Sequence, residues 1–250
     1  MNKQSYRLYR KMGFYEKYVK RMIDIICVGI AFIVFGWLYA LIAICVRINL
    51  GAPVLFVQYR PGLVDPKTGE ERIFKMYKFR TMTDERDKTG NLLPDEMRLT
   101  KFGAWLRSTS LDELPEAWCI LNGTMTLVGP RPQLVRDMVF MTDEQRMRHT
   151  ARPGLSGLAQ VSGRNAITWE EKLKYDLKYV NQVNFLSDMK ILLKTVVSAF
   201  IKHEGITEVG MATAVDYGDY LLAKKRISKE QYDSKQSEAK KILKKVEMCR

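Results

Sequence analysis

The sequence predicts a mostly helical α+β protein, in which an N-terminal membrane-inserted helix precedes a compact domain with a short β-hairpin and amphipathic surface helices. Three observations predict this class: a long uncharged segment near the N-terminus, two short alternating segments around a turn, and later segments with helix caps. We expect the 250-residue chain to have three parts: a basic segment with the membrane helix over 1–50, a compact domain over 51–210, and a basic helical tail over 211–250.

The uncharged segment, Ile25 to Val46, is long enough for a membrane helix, since about 20 apolar residues cross a bilayer core. Because basic flanks stay in the cytoplasm, we expect it to enter and return to the same face. Such a re-entrant helix needs a break, and Gly36-Trp37 is the candidate; a single span and a buried core helix are the alternatives. The basic flanking residues are Arg7, Arg10, Lys11, Lys17, Lys20 and Arg21 before the segment, and Arg47 and Arg60 after it.

The chain is strongly basic, with 41 Lys and Arg against 28 Asp and Glu and a net charge of +13. This excess favours an anionic partner, which is a nucleic acid, an anionic lipid surface or a phosphorylated substrate. Two histidines, His149 and His203, argue against a histidine-based zinc site or a serine triad. The four cysteines lack the spacing of a metal site or a disulfide framework.

Two short strands follow the apolar segment, Pro53 to Arg60 and Arg72 to Arg80, with a predicted turn at Asp65 to Gly69 between them. Successive residues of a strand point to opposite faces, so Lys78 and Arg80 share one face. This cationic stripe either faces a phosphate group or forms a solvated edge of the sheet.

Three signals organise the second half of the chain. Pro130-Arg131-Pro132 predicts a stiff extended turn that points Arg131 in a fixed direction. Thr168 to Glu171 is a capping box that predicts a helix from Trp169. A later helix is expected to face the core with the apolar residues that recur at helical spacing, Leu192, Val196, Ala199 and Phe200.

The segment Ser108 to Trp118, "STSLDELPEAW", contains adjacent carboxylates, Asp112 and Glu113, before a proline. A capping box anchored on Ser110 would put Pro115 inside the helix at a cost of about 3 kcal/mol, more than the roughly 1 kcal/mol that a cap contributes. We therefore expect Asp112 to be the helix cap, with both carboxylates at the positive end of the helix dipole. Whether the pair only starts a helix or acts on a substrate stays open on these grounds.

Several motifs together resemble the bacterial initiating sugar transferases, the small monotopic phosphoglycosyl transferases. They are Lys20-Arg21-x-x-Asp24, "PVLFVQYRPG", "FKMYKFRTM", "LRSTSLDELP", "VGPRPQLV" and "RPGLSGLAQVSGRNAITWEEKLKYDLKYV", in this order. The resemblance covers roughly residues 18 to 215 and rests on independent motifs.

The resemblance implies a reaction and a place. An enzyme of this family moves a sugar phosphate from a UDP-sugar to a polyprenol phosphate (undecaprenyl phosphate) and releases UMP, at the cytoplasmic face of the bacterial inner membrane. It implies that Asp112 is the nucleophile, which carries a covalent phosphosugar, and that Glu113 ligates Mg²⁺. The implied phosphate-binding residues are Lys78, Arg80, Arg107, Arg131 and Arg164.

Two departures from the family pattern and two rival functions go with this expectation. The family commonly breaks its membrane helix with Ser-Pro, where this chain has Gly36-Trp37, and the basic tail is additional. One rival is a membrane-anchored protein that binds anionic lipid or nucleic acid without catalysis. No nucleic-acid motif is recognisable, so we expect anionic membrane lipid but no nucleic acid among the partners. The other rival is a catalytically silent relative. The sequence has no readable code for the sugar.

Overall fold

The computed structural model describes residues 8–163, 167–201 and 215–248. A π-helical turn, Tyr15–Val19, leads into the first α-helix. The strands are β1 (Leu55–Val64), β2 (Glu71–Phe79), β3 (Thr126–Val128) and β4 (Gly154–Ser156). The α-helices are α1 (Lys20–Leu50), α2 (Asp95–Arg98), α3 (Lys101–Ser108), α4 (Glu116–Leu121), α5 (Val135–Met138), α6 (Asp143–Arg146), α7 (Leu158–Ser162), α8 (Trp169–Asn181), α9 (Phe185–Ile201), α10 (Tyr217–Ala223) and α11 (Lys229–Met248). A mostly helical α+β fold with a short hairpin is thereby confirmed, whereas the division at residues 50 and 210 stays a prediction.

The predicted hairpin is present as an antiparallel pair, in which Phe56 lies opposite Lys78. A second, parallel pair joins β3 to β4, with Thr126 opposite Gly154. The backbones on the two sides of this pair approach closely, since a Cβ on Gly154 would lie 2.0 Å from the backbone nitrogen of Gly129. Glycine is required at position 154 because no side chain fits between the two backbone segments.

The predicted break in the apolar helix is absent. α1 runs unbroken from Lys20 to Leu50 through Gly36-Trp37. Unlike proline, glycine has a backbone N–H donor, so Gly36 leaves the helical hydrogen bonds intact. It destabilises the helix by only about 1 kcal/mol relative to alanine. Together with the π-helical turn, the helix spans Tyr15–Leu50, which is long and apolar enough to cross a membrane, by length and composition only.

Both ends of α1 contact the same compact domain. Near its N-terminus, Arg21 donates to the Ile120 and Leu121 carbonyls, which close α4. One turn on, Asp24 accepts a 3.0 Å hydrogen bond from the Leu127 backbone N–H. Near its C-terminus, the helix packs on the hairpin and on α3, in a cluster that contains Ile42, Val46, Phe79 and Leu106.

The opposite side of α1 exposes an apolar stripe along its whole length. Its members are spaced three and four residues apart, so they lie on one helical face. They range from 49% to 86% exposed: Met22, Ile26, Ile30, Ile33, Trp37, Leu41, Ile44 and Ile48. A continuous apolar surface of this kind marks an interaction site with protein or membrane.

The sequence predictions for α8 and α9 have different outcomes. The capping box of α8 is confirmed, since Thr168 and Glu171 form reciprocal bonds. On α9, Leu192 packs at the edge of the core, but Val196 is 53% exposed, so the prediction of a core position is wrong for it. Helical spacing identifies an apolar face but not what covers that face. The side chains of Ala199 and Phe200 lie outside the described part.

The basic tail is anchored to the domain through α11. Ser228 and Gln231 form a reciprocal cap at its start. Ala239 is buried against α5, in a cluster with Val135 and Met138. The tail helix therefore supports the segment that directly follows the Pro130-Arg131-Pro132 turn.

Candidate active site

The adjacent carboxylates lie in a 3₁₀ turn, Leu111–Glu113, between α3 and α4. The prediction that Asp112 caps the following helix is wrong, because α4 begins at Glu116 with Pro115 as the residue before it. Ser110 adopts a left-handed conformation (φ 56°) that ends α3 and reverses the chain. Pro115 lacks the N–H that would extend an α-helix backwards through the dyad, so the backbone forms i to i+3 bonds there instead.

Glu113 is held by two cations from different parts of the fold. Its Oε1 atom accepts from Lys78 Nζ of β2 at 2.6 Å and from the Arg131 guanidinium of the proline-flanked turn. Burial acts to raise the pKa of Glu113, but the charges of Arg131 and Lys78 outweigh it and hold the pKa well below its usual range. Glu113 is therefore an ionised carboxylate between two positive groups.

Asp112 is in a different electrostatic position, although it is the next residue. It is 7% exposed, and burial raises its pKa to about 6, against the opposing charge of Lys78 and with a further contribution from Glu113. Arg107 and Arg131 also act to lower this pKa. Neighbouring carboxylates with pKa values pushed apart are typical of catalytic pairs with different roles.

Of the other predicted site residues, Arg107 lies near the carboxylate pair and Arg80 has other partners. Arg107 of α3 donates to the Thr81 hydroxyl at 3.0 Å and lies within the electrostatic influence of Asp112. Arg80 instead donates to the Leu50 and Ala52 carbonyls and to Asp84, and so ties the end of α1 to the hairpin. Arg164 lies outside the described residues.

A third carboxylate, Glu116, was missed by the sequence reasoning. It is 1% exposed, and its Oε1 atom lies 3.2 Å from the Lys78 ammonium. The signal was available, because Glu113 and Glu116 are three residues apart and a helical turn brings such positions together.

The Arg131 turn is supported from behind by two arginines, one buried and one partly buried, whose role the sequence reasoning missed. Arg148 donates to the Arg131 carbonyl at 2.6 Å and pairs with Asp176 of α8. Arg60 donates to the Pro132 carbonyl at 3.1 Å. No local pattern signals these contacts, since the partners are far apart in the sequence.

The residues present fit Mg²⁺ in the way that this ion binds phosphate substrates. Mg²⁺ prefers oxygen ligands and takes one or two carboxylates together with substrate phosphates. Glu113 supplies such a carboxylate, with Glu116 close by. Within the part of the chain that the structure describes, no group of three or more His, Cys, Asp or Glu could hold a metal by itself.

This arrangement can carry out phosphoryl chemistry. A buried carboxylate with an accessible pKa can attack phosphorus where cationic groups withdraw charge from the phosphoryl oxygens. Asp112 is such a carboxylate, and Lys78 and Arg131 are such cations.

Comparison with known proteins identifies the family of this chain. A Bacillus subtilis protein named uncharacterized sugar transferase EpsL is 48% identical over 169 residues, which cover 68% of this chain and 80% of that protein. A Klebsiella pneumoniae protein named UDP-glucose:undecaprenyl-phosphate glucose-1-phosphate transferase is 35% identical over 192 residues, which cover 73% of this chain and 40% of that protein.

A third relative, from Aeromonas hydrophila, is named UDP-N-acetylgalactosamine-undecaprenyl-phosphate N-acetylgalactosaminephosphotransferase and is 32% identical over 188 residues. Those residues cover 72% of this chain and 43% of that relative, so the chain spans about two fifths of both the Klebsiella and the Aeromonas proteins. The family model described as bacterial sugar transferase matches residues 15–202, three quarters of the chain. The chain therefore belongs to the bacterial sugar transferase family.

Proposed function

We propose that this protein is a phosphoglycosyl transferase that moves a sugar phosphate from a UDP-sugar to undecaprenyl phosphate, as the first membrane step in the synthesis of a polysaccharide or other glycoconjugate. The observation that carries the proposal is the buried pair of Asp112 and Glu113, in which one carboxylate has a pKa near 6 and the other is clamped by Lys78 and Arg131. The names of the Klebsiella and Aeromonas relatives support the substrate class.

Two displacements account for the transfer. In the first, an Asp112 carboxylate oxygen attacks the sugar-bearing phosphorus of the UDP-sugar. A bond forms between that oxygen and the phosphorus, the bond to the bridging oxygen breaks, and UMP leaves with the bonding electrons. In the second, a phosphate oxygen of undecaprenyl phosphate attacks the same phosphorus and returns Asp112 to its carboxylate form. The lipid product carries the sugar on a diphosphate.

The cations around the pair have the complementary role. Lys78, Arg107 and Arg131 would contact the diphosphate oxygens and stabilise the charge that develops on them. We extend this role to Arg164, and we assign Arg80 to the support of the site, since its guanidinium binds backbone carbonyls. Glu113 would hold Mg²⁺, which when bound neutralises diphosphate charge.

The contacts of α1 support a location on one face of the membrane. Because the N-terminal and C-terminal ends of α1 both contact the same domain, we expect both ends to lie on the same side of the bilayer as that domain. We propose that the exposed stripe of α1 contacts lipid, and that the basic flanks place the protein on the cytoplasmic face, next to anionic lipid. The same-face expectation thus survives as a proposal without a broken helix.

The decisive experiment measures UMP released by the full-length protein in lipid nanodiscs from a panel of UDP-sugars. With a substrate sugar and no acceptor, we expect about one UMP per enzyme, because the phosphosugar stays on Asp112. Added undecaprenyl phosphate should give turnover. Asp112→Asn should abolish both, while Asp216→Asn, which changes a partly buried carboxylate outside the site, should not.

Near-normal turnover in Asp112→Asn would overturn the assignment of the nucleophile. A wild-type protein that releases no UMP with any sugar, yet binds anionic vesicles or nucleic acid with a steep salt dependence, would support the non-catalytic rival. Labelling of cysteines placed at both ends of α1 from outside intact cells tests the topology, and labelling at either end contradicts the cytoplasmic-face proposal.

A further inference from the structure

We infer that Arg148 is a positioning residue of the active site, which fixes the Arg131 guanidinium by holding the Arg131 backbone. The inference rests on the proposed function, since it concerns the residues that would bind the diphosphate. Arg148 touches neither Asp112 nor Glu113 in the described contacts, so it would act only through Arg131.

Arg148 is a charged residue in the interior of the protein. Its side chain is 1% exposed and is among the largest fully buried side chains in the described chain. Burial of a charge is costly unless the charge is paired and hydrogen-bonded. Asp176, itself buried, supplies the counter-charge through its Oδ2 atom, 2.9 Å from Arg148 Nε and 2.7 Å from Arg148 Nη2.

The Arg148 guanidinium has two further hydrogen-bond partners besides Asp176. Arg148 Nη2 also donates to the Arg131 carbonyl at 2.6 Å. Its Nη1 atom lies 3.1 Å from His149 Nε2, and His149 Nδ1 lies 3.0 Å from Glu71. His149 donates its Nδ1 proton to Glu71, so its Nε2 atom accepts a hydrogen bond from Arg148 Nη1. Both terminal nitrogens of Arg148, Nη1 and Nη2, are therefore hydrogen-bonded, which fixes the orientation of the guanidinium.

The oriented Arg148 guanidinium restrains the Pro130-Arg131-Pro132 turn. Pro130 and Pro132 restrict the backbone on either side of Arg131. Arg60 fixes the next carbonyl, because its Nη1 atom donates to Pro132 at 3.1 Å. Two consecutive carbonyls are therefore held by guanidinium groups, and the Arg131 side chain leaves the turn toward Glu113.

This support has a consequence for catalysis. A phosphate-binding guanidinium has to be held to within about 0.5 Å of its productive position, and a misplacement of 1 Å can cost about 100-fold in rate. Lysine at position 148 would keep the charge, but its single ammonium cannot reproduce the planar fork that joins Asp176, His149 and the Arg131 carbonyl. Arg148→Lys therefore removes the positioning while a cation stays near Asp176.

The test is a double-mutant cycle on the full-length protein in nanodiscs, with two readouts: single-turnover UMP release and the midpoint of thermal unfolding. Arg148→Lys should slow UMP release about 10- to 100-fold. In an Arg131→Ala background the same change should slow it by less than about two-fold, because the group that Arg148 positions is gone. The unfolding midpoint should fall by the same amount in both backgrounds.

A second variant keeps the test decisive if Arg148→Lys does not fold. Arg60→Lys loosens the same turn at Pro132 and should show the same dependence on Arg131. Arg72→Lys is the matched control, since Arg72 is 67% exposed in a surface pair with Asp65 at the hairpin turn, and it should change neither readout.

Equal losses of UMP release with and without Arg131 would overturn the inference, because a purely structural residue acts in both backgrounds alike. So would an Arg148→Lys protein with wild-type rate. Failure of the proposed function looks different, since the wild-type protein itself would then release no UMP from any UDP-sugar.

Discussion

Asp112→Asn should inactivate the protein and at the same time stabilise it. Burial raises the pKa of Asp112 from 3.8 to about 6, so the folded protein disfavours the ionised carboxylate. The shift of roughly two pKa units corresponds to about 3 kcal/mol at neutral pH, at 1.36 kcal/mol per unit. Asparagine resembles the neutral acid in shape and does not incur this cost. We therefore expect the variant to unfold with up to about 3 kcal/mol more free energy than the wild type at pH 7.

The sign of the pH dependence distinguishes this effect from better packing. A carboxylate whose folded pKa is raised destabilises the protein above that pKa, and the cost disappears as pH falls below the unfolded value. The difference between the two proteins should be largest at pH 7 and should vanish toward pH 4. The stability of the wild type therefore rises as pH falls, whereas its activity decreases, because attack needs the ionised form; kcat/KM should fall about ten-fold between pH 7 and pH 5.

The assay is denaturant unfolding at several pH values in one detergent, paired with UMP release. Asp216→Asn is the matched control, since burial also raises the pKa of Asp216 to about 6, outside the site and beside Arg136. The Asp216→Asn protein should be stabilised with the same pH dependence. Its kcat/KM should still fall below pH 6, because Asp112 is unchanged. An Asp112→Asn protein that is no more stable than wild type at pH 7 would refute the reasoning.

Three further predictions concern the framework of the site. Burial lowers the pKa of His149 to about 4, so its contribution to stability should be complete above about pH 6.5 and lost as pH falls toward 4. In His149→Gln, the free energy of unfolding should no longer show this loss between pH 6.5 and pH 4. Asp176→Asn should cost about 3–5 kcal/mol of unfolding free energy, because Arg148 is left as an unpaired buried charge. Gly154→Ala should prevent folding, as judged by protease resistance, since its Cβ would lie 2.0 Å from the Gly129 nitrogen.

Each of these predictions has an outcome that contradicts it. A His149→Gln protein with the wild-type slope of stability against pH would show that His149 does not titrate as described. An unfolding free energy unchanged in Asp176→Asn would mean that the buried charge finds another partner. For glycine, Gly36→Ala is the control, because no atom lies within 4 Å of the added methyl group and the helix should become slightly more stable.

Elements with local causes were predictable from the sequence. The hairpin follows from two alternating segments around Asp65 to Gly69, and α8 from its capping box at Thr168. These features depend on residues within a few positions of each other, so turn chemistry and side-chain caps decide them. The carboxylate pair itself was also visible, because it lies in one short stretch with Pro115.

Other features needed the tertiary structure. The cap at Asp112 was wrong because the chain passes through a left-handed Ser110 and a 3₁₀ turn before α4 begins at Glu116. The side of α1 that stays exposed was equally out of reach, since the packing of α1 on the hairpin decides it. Arg148 and Asp176 meet only because the 3₁₀ turn at Met147–Thr150 packs on α8.

Lys78 and Arg80 separate what the sequence determines from what only the tertiary structure decides. The sequence by itself determined that both residues share one face of β2, since that follows from the alternation of a strand. Two residues of strand span about 6.6 Å, a distance over which the surroundings change. The tertiary structure decided that Lys78 meets Glu113 and that Arg80 meets the end of α1, because long-range packing determines which element lies opposite each position.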